Sequence, residues 1–496
     1  MKSNKINKTP KILKTSQDIE ISKATIQELL KNKSWKNLFA PTDISSLVLY
    51  RILFGLLMIY EMSRYLSSDW IYKYWLQPKF HFTYWPFDFL KPLPGNGMYG
   101  LFYLMTILSV FIMIGLFYRI SIFLFFICFS YMFLLEQTRY MNHFYLIVLI
   151  SFIMIFLPLH TSASVDSRIF KSIRSETTPV WVLWLVRFMI AIPYFFGGIA
   201  KINFDWLQGQ PLKIWMSNKK NLPLIGDLLT YDITAYFLSY SGLFLDLLIV
   251  PALLFKKTRL YGFVLIVMFH LMNSQLFTIG VFPWFMIAAT TLFFEPDWVR
   301  NVVNVISGNS WKISYENNLI KEQTKKLSLK EKGIVCLLLI WVVFHLLIPF
   351  RHLFVPGSVH WTEQGHRYAW HMKLRTKLSK GYYIVKDKKT GNITKVNPRD
   401  FLTKRQFSKV GDRPYLVWQF CQMLKEEYAK YGFDVAVYAN IQATLNGRKY
   451  QQLIDSTVDL TSVPRPIFPA DWIVPLTTPL SEQLDEKDKA DEGGVE

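Results

Sequence analysis

The sequence predicts an α-helical, multi-span membrane domain of about nine spans, followed by a soluble α+β, strand-rich C-terminal domain. Three observations carry this. Apolar residues make up 51% of the 496 residues and aromatics 17%, while charged residues are only 19%, a balance foreign to a soluble chain of this size. The apolar residues gather in long blocks, which sets the class more firmly than the percentages do. Beyond residue 351 the blocks stop, and short alternating runs with turn residues take over.

The first 43 residues are Lys-rich with no apolar core. They do not read as a cleaved signal peptide, so the first apolar block is expected to act as an uncleaved signal-anchor. Nine blocks read as spans, at about 44–65, 100–118, 120–136, 141–159, 180–200, 233–254, 260–278, 280–294 and 333–350. Several fall near or below the ~20 residues that cross a bilayer upright. Basic residues set the orientation. The N-terminal tail, Arg119, the 166–174 loop, Lys256 to Arg259 and the Lys-rich 312–332 stretch all fall on one side, which the positive-inside rule makes the cytoplasm. With nine spans, the C-terminal domain at 351–480 faces outward. The acidic end, 481–496, reads as disordered.

Within the C-terminal domain, Gly381 to Val396 reads as a hairpin turning at Lys389-Thr390-Gly391-Asn392. Residues 413–431 have helical apolar spacing, and 433–455 read as two strands joined at Asn446-Gly447.

The net charge of +20 is distributed along the tail and the loops between apolar blocks. No basic helix with base-reading side chains stands out, so nucleic acid is not the expected partner; membrane lipid is. The three cysteines, Cys128, Cys336 and Cys421, form no CxxC pair and imply no disulfide framework. Hydrolase, Walker and dinucleotide motifs are missing, and the histidines look scattered, so the expected chemistry uses no metal.

The candidate site residues are polar groups at the edges of apolar blocks. Lys201 ends a span on the outward side, after Gly197 and Gly198 and just before Asn203, Asp205 and Trp206. An ordinary lysine there would snorkel to the headgroups. The two glycines instead admit a flat ligand or a second backbone, and a partly desolvated amine can act as a neutral base. Asn142 and His143 open the fourth span at the same membrane level, as a helix cap or as one polar wall of a site. His270, Asn273, Ser274 and Gln275 run through the end of another span, where they either bond helix to helix or line a cavity. Arg51, Arg187 and Asp246 also lie within spans and read as structural ion pairs. Past the last span, the strip from Trp361 to Arg375, with His366, Arg367, Tyr368 and Trp370, is either an interfacial belt or a strip that takes a carboxylate.

Together these segments resemble the vitamin K-dependent gamma-carboxylases and their bacterial homologues, the horizontally transferred transmembrane domain family. The resemblance rests on Tyr194-Phe-Phe-Gly-Gly-x-x-Lys201-x-x-x-Asp205-Trp206-x-x-Gly209, on Asn142-His143, on Asn273-Ser-Gln-Leu-Phe-x-Ile279-Gly280, and on Trp361-Thr362 through Trp370. It spans about residues 40 to 475. It implies an enzyme that deprotonates a reduced vitamin K hydroquinone, lets it react with O2, and uses the strong base so formed to remove a γ-proton from a protein glutamate. The carbanion takes up CO2 and the vitamin leaves as its epoxide. Lys201 matches the family's catalytic lysine, and Asn142 and His143 match residues near the quinone and the glutamate. The animal enzymes carry two adjacent lysines where this chain has Ala200 before Lys201. The implied partners are membrane lipid, the quinone and a secreted Glu-containing protein. A bacterial cytoplasmic membrane is the expected location. The rival readings are a quinone-epoxidising oxidoreductase that carboxylates nothing, and a non-catalytic transporter or lipid-binding protein.

Overall fold

Each of the nine apolar blocks lies on a helix in the computed structural model, which describes residues 33–277, 279–308, 327–466 and 469–480. The helices are α1 Ser45–Ser67, α2 Gly97–Ile114, α3 Tyr118–Leu134, α4 Asn142–Phe156, α5 Val180–Ala200, α6 Asp232–Leu254, α7 Arg259–Leu276, α8 Phe282–Thr290 and, after the amphipathic α9 at Trp298–Ser307, α10 Leu329–Leu347. Five are long and apolar enough to cross a membrane: α1, α2, α5, α6 and α10 with its short continuation to Phe354. Three are shorter apolar helices: α3, α4 and the stretch Phe282–Phe293. Helix α7 belongs to neither group, because its last turns carry His270, Asn273, Ser274 and Gln275. The basic tail up to residue 32, most of the Lys-rich 312–332 stretch and the acidic end at 481–496 lie outside the described residues.

Local chemistry sets the helix ends. Gly115 closes α2 at φ +67°, a left-handed conformation that glycine adopts without strain. Ser328 and Glu331 form a capping box at the start of α10. Helices α1 and α2 approach closely at Gly55, where a Cβ would fall 2.7 Å from Met113 Cβ and from the Ser109 carbonyl. Small residues allow such contact where no hydrophobic effect drives helices together. A short antiparallel pair, β1 Pro41–Asp43 with β2 Thr177–Pro179, ties the segment before α1 to the segment before α5.

Arg51 and Arg187 do not make, among the described residues, the ion pairs expected of them. Arg51 donates to the Leu159 and Ala163 carbonyls at 2.9 and 2.7 Å. Arg187 donates to the Leu292 and Phe294 carbonyls at 2.7 and 2.8 Å. Both cap chain segments leaving a helix, where unpaired carbonyls accumulate. A buried ion network forms elsewhere: Arg300 of α9 holds Asp43 at 2.6 Å and Glu176 at 3.3 Å.

The C-terminal domain is a four-stranded antiparallel sheet ordered β4-β3-β5-β6, with β3 Ser379–Asp387, β4 Ile393–Val396, β5 Val435–Ala443 and β6 Gln451–Gln452. The hairpin expected around Gly391 forms, pairing Tyr383 with Val396. Helix α11, Pro414–Ala429, packs on the sheet. The hairpin expected at Asn446-Gly447 is not tight: β5 meets only Gln451 and Gln452. Asn446 is recruited by other groups instead. It accepts from the Thr376 N–H at 2.9 Å and donates to Asp205 at 2.7 Å.

Candidate functional site

A cavity of ≈ 810 Å³ opens where α1, α4, α5, α6 and α7 meet the 361–377 strip and the C-terminal domain. It falls inside the range typical of small-molecule sites. One kind of wall is aromatic and apolar, with Tyr65, Tyr194, Trp206, Phe269, Phe282 and Met286. The other is cationic, with Arg64, Arg139, Arg367, Lys373, Arg375, Arg405, Lys409 and Arg413 against Glu61 and Glu363.

Lys201 stands at the apolar wall. It is the C-cap of α5, and its Nζ donates to the Gly197 carbonyl at 3.3 Å, one turn back. It is not a snorkelling lysine. Its Nζ contacts Asp246 of α6, and the two side chains are only 8% and 6% exposed. Asp246 therefore does pair, as expected, but with the candidate base. Gly197 permits this: a Cβ there would lie 3.1 Å from Asp246 Oδ2. Trp206 covers the amine with its ring 5.3 Å away, fixed by Nε1 donating to the Ser239 carbonyl at 2.9 Å.

Asn142 and His143 both line the cavity. Asn142 accepts from Tyr140 at 2.9 Å and donates to the His371 carbonyl at 3.0 Å, tying α4 to the strip. The His143 ring lies 5.5 Å from Phe282. His270 shares a hydrogen bond with the Tyr194 hydroxyl at 2.8 Å, and its buried Nδ1 has no partner among the described residues. Asn273 also faces the cavity. Ser274 and Gln275 do not line it. Ser274 bonds back to the Leu271 carbonyl at 2.7 Å, and Gln275 sits about 140° round the helix from His270 on an exposed face.

The strip divides similarly. His366 and Arg367 reach the cavity. Tyr368 and Trp370 do not: their rings pack 4.8 and 5.2 Å from Tyr145. The strip is bent by side-chain residues in the left-handed region, with φ of +62° at Glu363, +63° at Tyr368, +61° at Trp370 and +52° at Lys373. Such backbone persists only where its surroundings over-determine it, and it clusters at functional sites. Arg375 donates from Nε and Nη2, one edge of its guanidinium, to the two carboxylate oxygens of Glu363. Burial pushes the Glu363 carboxyl up, but Arg375, Lys377 and Arg413 outweigh it and bring it below the usual range.

His360, His366 and His371 offer nitrogens within 4.8 Å of one another and could hold a metal ion. The histidines are thus not scattered, although no ligand spacing marks them in sequence. Burial, then Arg375, lowers His360 to about 4. Burial, then His360, lowers His371 to about 2. All that burial leaves neutral, ligand-ready rings. Arg375, however, donates to His366 Nε2 at 2.7 Å, and the cations around the cluster oppose a further divalent charge.

Behind the site, Asp205 takes both guanidinium nitrogens of Arg448, at 2.6 and 2.7 Å, together with Asn446. This buried cluster joins the loop after Lys201 to the C-terminal domain. Sequence reasoning missed this clamp, the Lys201–Asp246 pair and the cations from α1, the 136–141 segment and residues 404–413. Only proximity in space assembles them.

Two family matches accord with this arrangement. The HTTM domain matches residues 39–298, and the lumenal domain of vitamin K-dependent gamma-carboxylase matches residues 330–479. The chain belongs to the vitamin K-dependent gamma-carboxylase family, and it is a membrane protein with carboxylase-like domains. No solved structure matches it.

Proposed function

We propose that this cavity binds a reduced quinone of the vitamin K class, converts it to the epoxide, and couples that reaction to CO2 addition at a protein glutamate. The observation that carries this reading is a buried lysine facing one cavity whose walls are aromatic on one part and cationic on the other. The aromatic wall fits a flat naphthoquinone ring, and the unpartnered Nδ1 of His270 is a polar group such a ligand can satisfy. When bound, the reduced quinone and O2 supply the strong base that glutamate chemistry requires.

The chain's own residues then have distinct roles. Lys201 takes a proton at Nζ from a hydroxyl on the ring. Asn142 and His143 fix the ligand's position at the start of α4. Trp206 and Tyr194 keep water from the amine, which strengthens every charge interaction there. Arg367 holds a substrate carboxylate through a charged hydrogen bond. A second reading, epoxidation without carboxylation, is favoured by one contact: Glu363 already occupies Arg375 as a substrate carboxylate would.

We also assign the N-terminus to the cytoplasm, residues 351–496 to the outside, and the whole to a bacterial cytoplasmic membrane, on the loop charge bias. Incubating purified protein with hydroquinone, O2, bicarbonate and a Glu-rich peptide tests the function. Epoxide plus carboxyglutamate is the expected result, epoxide alone selects the second reading, and neither product overturns both.

A further inference from the structure

We propose that Lys201 and Asp246 act as one base, with Asp246 holding the pair's own proton while Lys201 takes the proton of the substrate. This rests on the reading of Lys201 as the base and says what that base is. The structure does not build the lone amine expected from sequence. A buried carboxylate touches Nζ, Gly197 leaves room for it, and Trp206 covers the other side. If the ammonium lost its proton to solvent, it would leave a lone carboxylate in a dry site, and such a charge is expensive.

Proton accounting gives the mechanism. At rest the pair shares one proton, as ammonium with carboxylate or amine with carboxylic acid, and is neutral either way. In the step, an O–H bond of the hydroquinone breaks and an N–H bond forms at Lys201, while Asp246 is the protonated acid. The hydroquinone gains one negative charge and the pair one positive charge. The new oxyanion thus faces its counter-ion, and no unbalanced charge appears among the helices. Other titratable groups share this wall. Tyr194 bonds to His270. His371 and Lys373 flank Met372, which sits over Gly197, and His143 lines the same cavity.

The sign of one pH shift tests the pair. In the wild type, the base form should persist until Asp246 protonates at acidic pH. In Asp246→Asn, only the amine remains, and its base form should appear about two pH units or more toward alkali. A lone amine base predicts the reverse, because removing a carboxylate makes the ammonium easier to deprotonate. Bound 2-methyl-1,4-naphthohydroquinone, titrated without oxygen, reports this through the ultraviolet absorbance of its anion, independent of turnover. The epoxidation pH profile provides the second readout, with Lys201→Met as the blank. Should the asparagine variant not fold, Asp246→Ala with added formate replaces it, and formate should restore the wild-type onset. An alkaline shift supports the pair. An acid shift, or a lower amplitude at an unchanged onset, overturns it and leaves Lys201 as a lone base. No anion and no epoxide in the wild type overturns the proposed function and the pair with it.

Discussion

Lys201 shows how much one residue can announce and how much it hides. Its place after two glycines at the end of an apolar run marked it in sequence. Its partner did not show, because Asp246 lies on another helix and no local pattern links the two. The same holds for Arg375, whose hold on Glu363 depends on a strip bent at five left-handed positions, Gly365 among them. Two outcomes are expected at this scale. Lys201→Ala should lower hydroquinone epoxidation by at least the ~100-fold typical of a lost general base. Lys201→Arg should not restore it, since a guanidinium does not accept the proton. Initial rates in detergent or nanodiscs measure both. Arg367→Ala should raise the KM for a glutamyl peptide about 10–150-fold, the loss of roughly 1.5–3 kcal/mol from a charged hydrogen bond. Epoxidation should be nearly spared. Equal loss of both activities, with a lowered Tm, would assign Arg367 a structural role.

Elements were legible where their signals are local. Apolar blocks became helices, and Gly391 turned its hairpin, because periodicity and turn chemistry act over a few residues. The Asn446-Gly447 pair misled for a physical reason. The Asn446 side chain serves the clamp on Asp205, and the strand that should follow is only two residues long. Polar residues in α7 were only half legible: His270 and Asn273 face the cavity, while Ser274 and Gln275 do not. The clamp itself makes a prediction. Arg448→Met leaves the Asp205 carboxylate buried without its guanidinium, a loss of about 3–5 kcal/mol for a broken buried pair. The expected result is a lowered Tm. Asp205→Asn in the same chain should recover part of the loss, because it removes the stranded charge. A double variant no more stable than Arg448→Met would show that the cluster does not act as an ion pair.

For the whole molecule, the cluster of neutral imidazoles sets a pH limit. Their folded values lie below the ordinary ~6.5, at about 4 for His360 and about 2 for His371. Below about pH 6.5 the unfolded chain takes up protons that the folded rings refuse. Stability therefore stays level above that point and falls as the pH drops toward about 4. Near pH 5 the loss is about 2 kcal/mol for one such ring. The melting temperature should drop between pH 7 and pH 5, and His360→Phe should reduce the slope. A melting temperature unchanged over that range would contradict buried neutral rings. Orientation is tested at the exposed turn. Thr390→Cys, with the exposed Cys336 replaced by Ser, should react with an impermeant maleimide on intact cells, since Cys128 and Cys421 are buried. Labelling only after lysis would place the C-terminal domain inside.

The cavity wall comes from both sides of the chain. Lys201, Asp246 and His143 lie in the first matched stretch, and His366, Arg375 and Arg413 in the second. The site is therefore a seam. In hereditary terms it has two owners: a lesion on either side disables the same pocket, and a lineage that inherited one half alone would inherit a wall with no room behind it.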